Sequence, residues 1–207
     1  NSPRDAFSRL ETMVMMASST MRHSQNWTVD YKKLLARGTR GIREEAQAKL
    51  AALTEPKDLV TSKPFLEAVI MTCDAMALWS RRYAGLATEL AASEQDPQRK
   101  KELQEIAEIC AWVPENPART FREALQAQWF GATFARIEVT TGAQGQGRMD
   151  QYLLPYYQQD IAEGRITKET ATELLQCLWI NNVQVVEIKL NPVMAQGTDG
   201  FAQFLDV

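Results

Sequence analysis

The densest glycine stretch, Gly142-Ala-Gln-Gly-Gln-Gly147, is the first place where residue type and spacing suggest chemistry. A strand, a glycine-rich turn and a helix can cradle a phosphate on backbone N–H groups. The order here is G-x-x-G-x-G, however, and no Lys-Ser/Thr pair follows, so neither the dinucleotide fingerprint nor the P-loop is met. The glycines fit better with a tight turn passing close to a ligand or another backbone. Cys73, Cys110 and Cys177 are widely spaced and form no CxxC, which argues against a disulfide framework or a zinc ribbon. Cys177, within Glu-Leu-Leu-Gln-Cys-Leu-Trp, has the surroundings of a buried, unactivated thiol. His23 is the single histidine and suits a helix C-terminal cap, so no site needing several imidazoles can be built. Trp79 with Arg81, Arg82 and Tyr83 offers a guanidinium stack, more often structural than functional. Met13, Met15, Met16 and Met21 read as helix packing, and Glu44-Glu45 and Glu105/Glu108 as solvated faces. No Ser/His/Asp or Cys/His set assembles.

The elements that must position these residues are mainly helical. Ser2-Pro3 opens one helix, and Asp30 caps a second whose apolar face is interrupted by Gly38 and Gly41. A third should start near Ser62 with Pro64 in its first turn and reach about Ala92. Its apolar positions from Phe65 to Leu90 follow a period near 3.6. Roughly thirty residues give a rod of about 45 Å, long for a free-standing domain of this size. Asp96-Pro97 starts a helix through Cys110, and Thr120-Phe-Arg-Glu123 is a capping box opening the next. Arg136–Thr140 has strand texture, helices follow from about Met149 and from Thr167 to Trp179, and a second strand is expected over Val183–Leu190.

The chain has 207 residues with 23 basic and 26 acidic side chains, for a net charge of -3. This gives no basic excess with which to neutralise phosphates, so a nucleic-acid partner is not expected. Hydrophobic residues at 45% and charged residues at 24% indicate a globular chain rather than a disordered one. No apolar run is long enough for a membrane helix, and a reduced, cytoplasmic protein is expected.

Three phrases narrow the reading: "VPENPARTFREALQAQWF", "GRMDQYLLPYYQQDI" and "ATELLQCLWI". In this order and at these separations they resemble the N-terminal half of a glycyl radical enzyme. That family is related to pyruvate formate-lyase, and the likeness is greatest to its glycerol/choline/arylacetate branch. Upstream, "VDYKKLLARGTRGIREEAQAKL" and "WSRRYAGLATELAASEQDPQRKKEL" fit the same family, so the resemblance covers about Asn26 to Leu190.

The resemblance implies an α/β fold in which a mostly helical piece contributes the first strands of a ten-stranded barrel. Residues 1–207 would form part of one such domain, with 1–135 a helical shell and 136–207 the start of a half-barrel. It implies a lyase in which a glycyl radical, installed by an S-adenosylmethionine-dependent iron–sulfur activase, oxidises a loop cysteine. The resulting thiyl takes a hydrogen atom from a small substrate inside the barrel, where the reacting C–H is shielded. Elimination, C–C or C–S cleavage, or decarboxylation follows; the resemblance also allows a homodimer. The family's cysteine loop and terminal glycine loop do not occur in these residues, so no catalytic residue or metal ligand is assigned. The piece is expected to be inactive alone; a non-catalytic helical interaction module is the alternative.

Counting from Glu138 to Arg148, the His-Ser pair that holds substrate hydroxyls in diol-dehydratase relatives falls on Gly142-Ala143. Relatives often carry Gly-His where this chain has Gln25-Asn26. Arg22, four residues before Asn26, would lie on the same helical side and suits a carboxylate or sulfonate. Arg22, Asn26, Gly142 and Ala143 are therefore the expected substrate contacts.

Overall fold

The computed structural model of the chain describes residues 28–138 and 145–184. Seven helices are present among them: α1 (Tyr31–Ala51), α2 (Pro56–Ser93), α3 (Pro97–Trp112), α4 (Phe121–Glu138), α5 (Met149–Tyr152), α6 (Leu154–Ala162) and α7 (Lys168–Gln184). Two compact units divide the chain. One comprises Asp30–Gly131 and Arg148–Leu178; the other includes, among the described residues, 28–29, 132–138, 145–147 and 179–184.

Local signals fix several helix starts. The Asp30 carboxylate accepts the Lys33 N–H at 3.0 Å, and Asp96 accepts the Gln98 N–H at 3.0 Å ahead of Pro97. Thr120 Oγ1 accepts the Glu123 N–H at 3.2 Å. The return half of the capping box is displaced by one residue, because the Glu123 carboxylate accepts the Arg119 N–H at 2.7 Å and also grips the Arg119 guanidinium. Thr167 caps α7 through the Thr170 N–H.

The helix expected from Ser62 instead starts at Pro56. Pro56 supplies the preset first-turn φ. Pro64 therefore sits inside the helix, where it cannot donate to the Val60 carbonyl.

The larger unit packs on α4. Phe121, Ala124, Leu125 and Gln128, at helical spacing, are all buried, and the first three join Leu35, Val113, Leu153, Ala171 and Leu178 in one apolar core. A second cluster sets Phe130 and Cys110 against Ala84. Trp79 and Tyr83 belong to that aromatic region, with ring centroids 5.3 Å and 5.8 Å from Phe130. A guanidinium–indole stack forms elsewhere, Arg119 lying 4.0 Å over the Trp112 ring. Gly38 breaks α1 at φ 63, ψ 173. The kink lets Thr39 and Arg40 donate to the Pro114 and Glu115 carbonyls at 2.8 and 3.0 Å, while Ala118 donates to Leu35 at 3.0 Å.

Three expectations are corrected. Arg136–Glu138, assigned to a strand, form the last turn of α4. The Arg136 guanidinium donates to the Asn182 carbonyl at 2.9 Å, tying α4 to α7. Lengthening a formed helix by one turn costs tenths of a kcal/mol per β-branched residue, less than abandoning its hydrogen bonds. Val183 and Gln184 close α7 and are not strand. The remainder of both expected strands, 139–140 and 185–190, lies outside the described residues, as do the first helix, its methionines and His23. Cys177, expected to be buried, is exposed, because it falls on the outer side of α7 while Ala171 and Leu178 face the core. No described helix is long and apolar enough to cross a membrane.

Candidate functional site

Arg22, Asn26, Gly142 and Ala143 lie outside the described residues, but the segments carrying them can be followed to their nearest described ends. Those ends meet. Thr28 Oγ1 donates to the Gly145 carbonyl at 3.0 Å across 117 residues of sequence. A β-carbon on Gly145 would stand 2.7 Å from the same hydroxyl, so a side chain here would push the Thr28 hydroxyl aside. Gly147 follows at φ 64, a left-handed turn, and Gln146 between them is buried. The described end of the glycine stretch, 145–147, therefore turns beside the Thr28 side chain.

In the larger unit, Tyr31 and Tyr152 stack at 5.3 Å, and Gln128, fully buried, hydrogen-bonds the Tyr152 hydroxyl. Burial, with Tyr31 alongside, pushes the Tyr152 phenol far above its ordinary range. It stays protonated near neutral pH and accepts the hydrogen bond from the Gln128 amide, so it is not a base. A groove of about 410 Å³ lies beside this cluster, lined by Tyr152, Tyr156, Leu35 and Pro155 with Lys32 and Arg148 at its polar edge. Arg148 is paired to Asp150 through two hydrogen bonds at 3.0 and 2.8 Å.

Neither buried thiol is activated. Burial raises Cys73, and raises Cys110 to about 11, the opposite of what a reactive cysteine requires. Among the described residues no group of three or more His, Cys, Asp and Glu could hold a metal. The described residues therefore offer donors, cations and a shaped turn, without a nucleophile–base pair.

Sequence reasoning passed over two charged sites. Asp160, buried, accepts the Phe121 N–H at 2.8 Å and holds Arg165 at 2.6 Å. No spacing rule could reveal the first contact, whose partners are 39 residues apart. Glu45, read as a solvated face, collects Lys49 at 2.8 Å, Lys33 at 3.0 Å and Arg37. Hydrogen bonds from Lys49 and Lys33 lower its carboxyl from the ordinary 4.5 to about 2. Its folded value lies below its unfolded one, so its contribution is complete above 4.5 and disappears as pH falls through 2. Urea denaturation should find Glu45→Gln less stable than the unaltered chain near neutral pH. The gap should close at about pH 2; a gap independent of pH would contradict the charge cluster.

The pyruvate formate lyase-like family model matches residues 3–206. Isethionate sulfite-lyase of Nitratidesulfovibrio vulgaris is 51% identical over 198 residues, which is 94% of this chain and 24% of the relative. The chain thus spans about a quarter of the length of that curated relative. A solved structure described for 1,2-propanediol dehydration in Roseburia inulinivorans superposes with a TM-score of 0.72 at 39% identity, over 74% of this chain and 18% of that one. The structure of a glycyl radical enzyme from Archaeoglobus fulgidus gives 0.70 at 38%, over 76% and 20%.

Proposed function

Since the chain belongs to the pyruvate formate lyase-like family, whose solved relatives include glycyl radical enzymes, we propose that it is the N-terminal part of a glycyl radical lyase. Its substrate would be a small sulfonate of the isethionate type, cleaved at the C–S bond. The observation that carries this is the 51% identity to an isethionate sulfite-lyase over 94% of the chain, against 39% to the propanediol-dehydrating structure. Gly142-Ala143, in place of a hydroxyl-binding His-Ser pair, also speaks against a diol.

The net reaction is balanced without a further reactant. Isethionate gives acetaldehyde and bisulfite: the C–S bond breaks, one hydrogen moves from the carbinol carbon to its neighbour, and the hydroxyl proton leaves to the sulfite as the C=O bond forms. The described thiols are not placed to meet a substrate: Cys73 and Cys110 are packed among the helices of the larger unit, and Cys177 lies on the outer side of a helix. The proposal therefore assigns the reactive cysteine and the radical glycine to the rest of the protein. The radical would supply the initial hydrogen-atom abstraction, and the activase would install it. This chain's share is the wall of the barrel and part of the pocket. Arg22 and Asn26 would meet the sulfonate, and Gly142 and Ala143 would leave it room. The Thr28–Gly145 hydrogen bond supports that placement, because it joins the two segments two residues beyond Asn26 and Ala143.

The test uses the complete protein, activated anaerobically. Sulfite release from isethionate should exceed turnover of glycerol or 1,2-propanediol by at least about a hundredfold. Equal or faster diol turnover would refute the sulfonate reading. A folded protein showing no glycyl radical signal after activation would favour the non-catalytic module.

A further inference from the structure

Residues 139–144 are flanked by two hydrogen bonds inside the smaller unit. On one side Arg136, near the end of α4, donates to the Asn182 carbonyl at 2.9 Å and so joins the ends of α4 and α7. On the other, the Gly145 carbonyl accepts the Thr28 hydroxyl at 3.0 Å. This second link is of a different kind. Thr28 stands ahead of α1 and Gly145 ahead of α5, so a side-chain hydroxyl, not a helical ladder, sets their separation.

The approach leaves little slack. A β-carbon on Gly145 would already crowd the hydroxyl at 2.7 Å, and Gln146 beside it is buried. Thr28 itself is exposed, and a hydrogen bond so placed adds little to folding stability. What it governs is position. Asn26 stands two residues before Thr28, and Ala143 two before Gly145. Two residues of chain reach at most about 7 Å, so a displacement at the hydrogen bond is passed on with little loss. Misplacing a group that holds substrate by about 1 Å can cost about a hundredfold.

We infer that Thr28 is a positioning residue for substrate selection: its hydroxyl, on the Gly145 carbonyl, sets the spacing between the two stretches of chain that carry Asn26 and Ala143. The assignment rests on the sulfonate reading above and gives that pocket the device that fixes its width. The experiment is calorimetric titration of isethionate, and of its longer homologue 3-hydroxypropane-1-sulfonate, into the complete protein without radical activation. Thr28→Val keeps the shape of the side chain and removes the donor. It should weaken isethionate at least about fivefold, the worth of one such hydrogen bond. The homologue should lose less, so that the preference for the smaller sulfonate narrows. Thr28→Ser restores the hydroxyl and should restore both affinity and preference. The urea midpoint should be the same for all three proteins. Unchanged isethionate affinity in Thr28→Val would overturn the inference, as would an equal loss for both sulfonates or a Thr28→Ser variant as weak as Thr28→Val. A fall in the urea midpoint matching the loss of affinity would overturn it too, by making the hydroxyl a part of the fold's stability. Failure of the unaltered protein to bind isethionate would instead refute the sulfonate reading, and this assignment with it.

Discussion

Gly38→Ala should cost about 3–5 kcal/mol of folding stability, a large part of the 5–15 kcal/mol typical of a domain. Two penalties add. The residue sits at φ 63, where an L side chain loses about 1–2 kcal/mol. A β-carbon there would also stand 2.3 Å from the Glu115 carbonyl oxygen and 2.6 Å from the Asn116 carbonyl carbon. Both obstacles are backbone, and backbone cannot swing aside as a side chain does. Moving it would also disturb the Thr39–Pro114 and Arg40–Glu115 hydrogen bonds that hold the loop against α1. Gly164 is the matched control, at φ 68 with nothing within 4 Å of an added β-carbon. Gly164→Ala should therefore lose only about 1–2 kcal/mol, the backbone penalty alone. Urea denaturation of both variants separates the steric part from the conformational part. Equal losses would show that the loop yields and that the close approach is not binding.

Asp160→Ala should cost about 3 kcal/mol, through a different mechanism. Its carboxylate is buried, accepts the first N–H of α4 and receives the Arg165 guanidinium at 2.6 and 2.8 Å. Removing it leaves the Phe121 N–H with no acceptor in the core and leaves Arg165 only its pairing with Glu163. Arg165 is about a third exposed, so water recovers part of its loss. The stranded N–H accounts for the rest. Asp160→Asn keeps an acceptor for Phe121 and should lose less. In a double-mutant cycle, Asp160→Ala combined with Arg165→Ala should fall short of the sum by about 1–2 kcal/mol. Strict additivity would place the pair's value in packing and not in the charge.

These two sites differ in how far they could be read from the chain. Gly38 was visible as an interruption, since a glycine inside an apolar periodic stretch signals a break. The reason for it, a carbonyl 77 residues away at Glu115, was not visible. Asp160 gave no signal at all, because its partner Phe121 stands on another helix. The family resemblance came from five phrases in register and is carried by the match over residues 3–206. The substrate candidates Arg22, Asn26, Gly142 and Ala143 came from the same register and rest on it alone.

Asp30, Asp96, Thr120 and Thr167 determined their helix starts within the sequence, because a cap and the N–H groups it serves lie within three residues of each other. Tertiary structure alone decided that Arg136–Glu138 stay helical, that Cys177 faces outward, and that Thr28 reaches Gly145. Those outcomes depend on which surfaces meet after the chain folds back on itself. A contact made across 117 residues has no fixed spacing by which residue types could announce it.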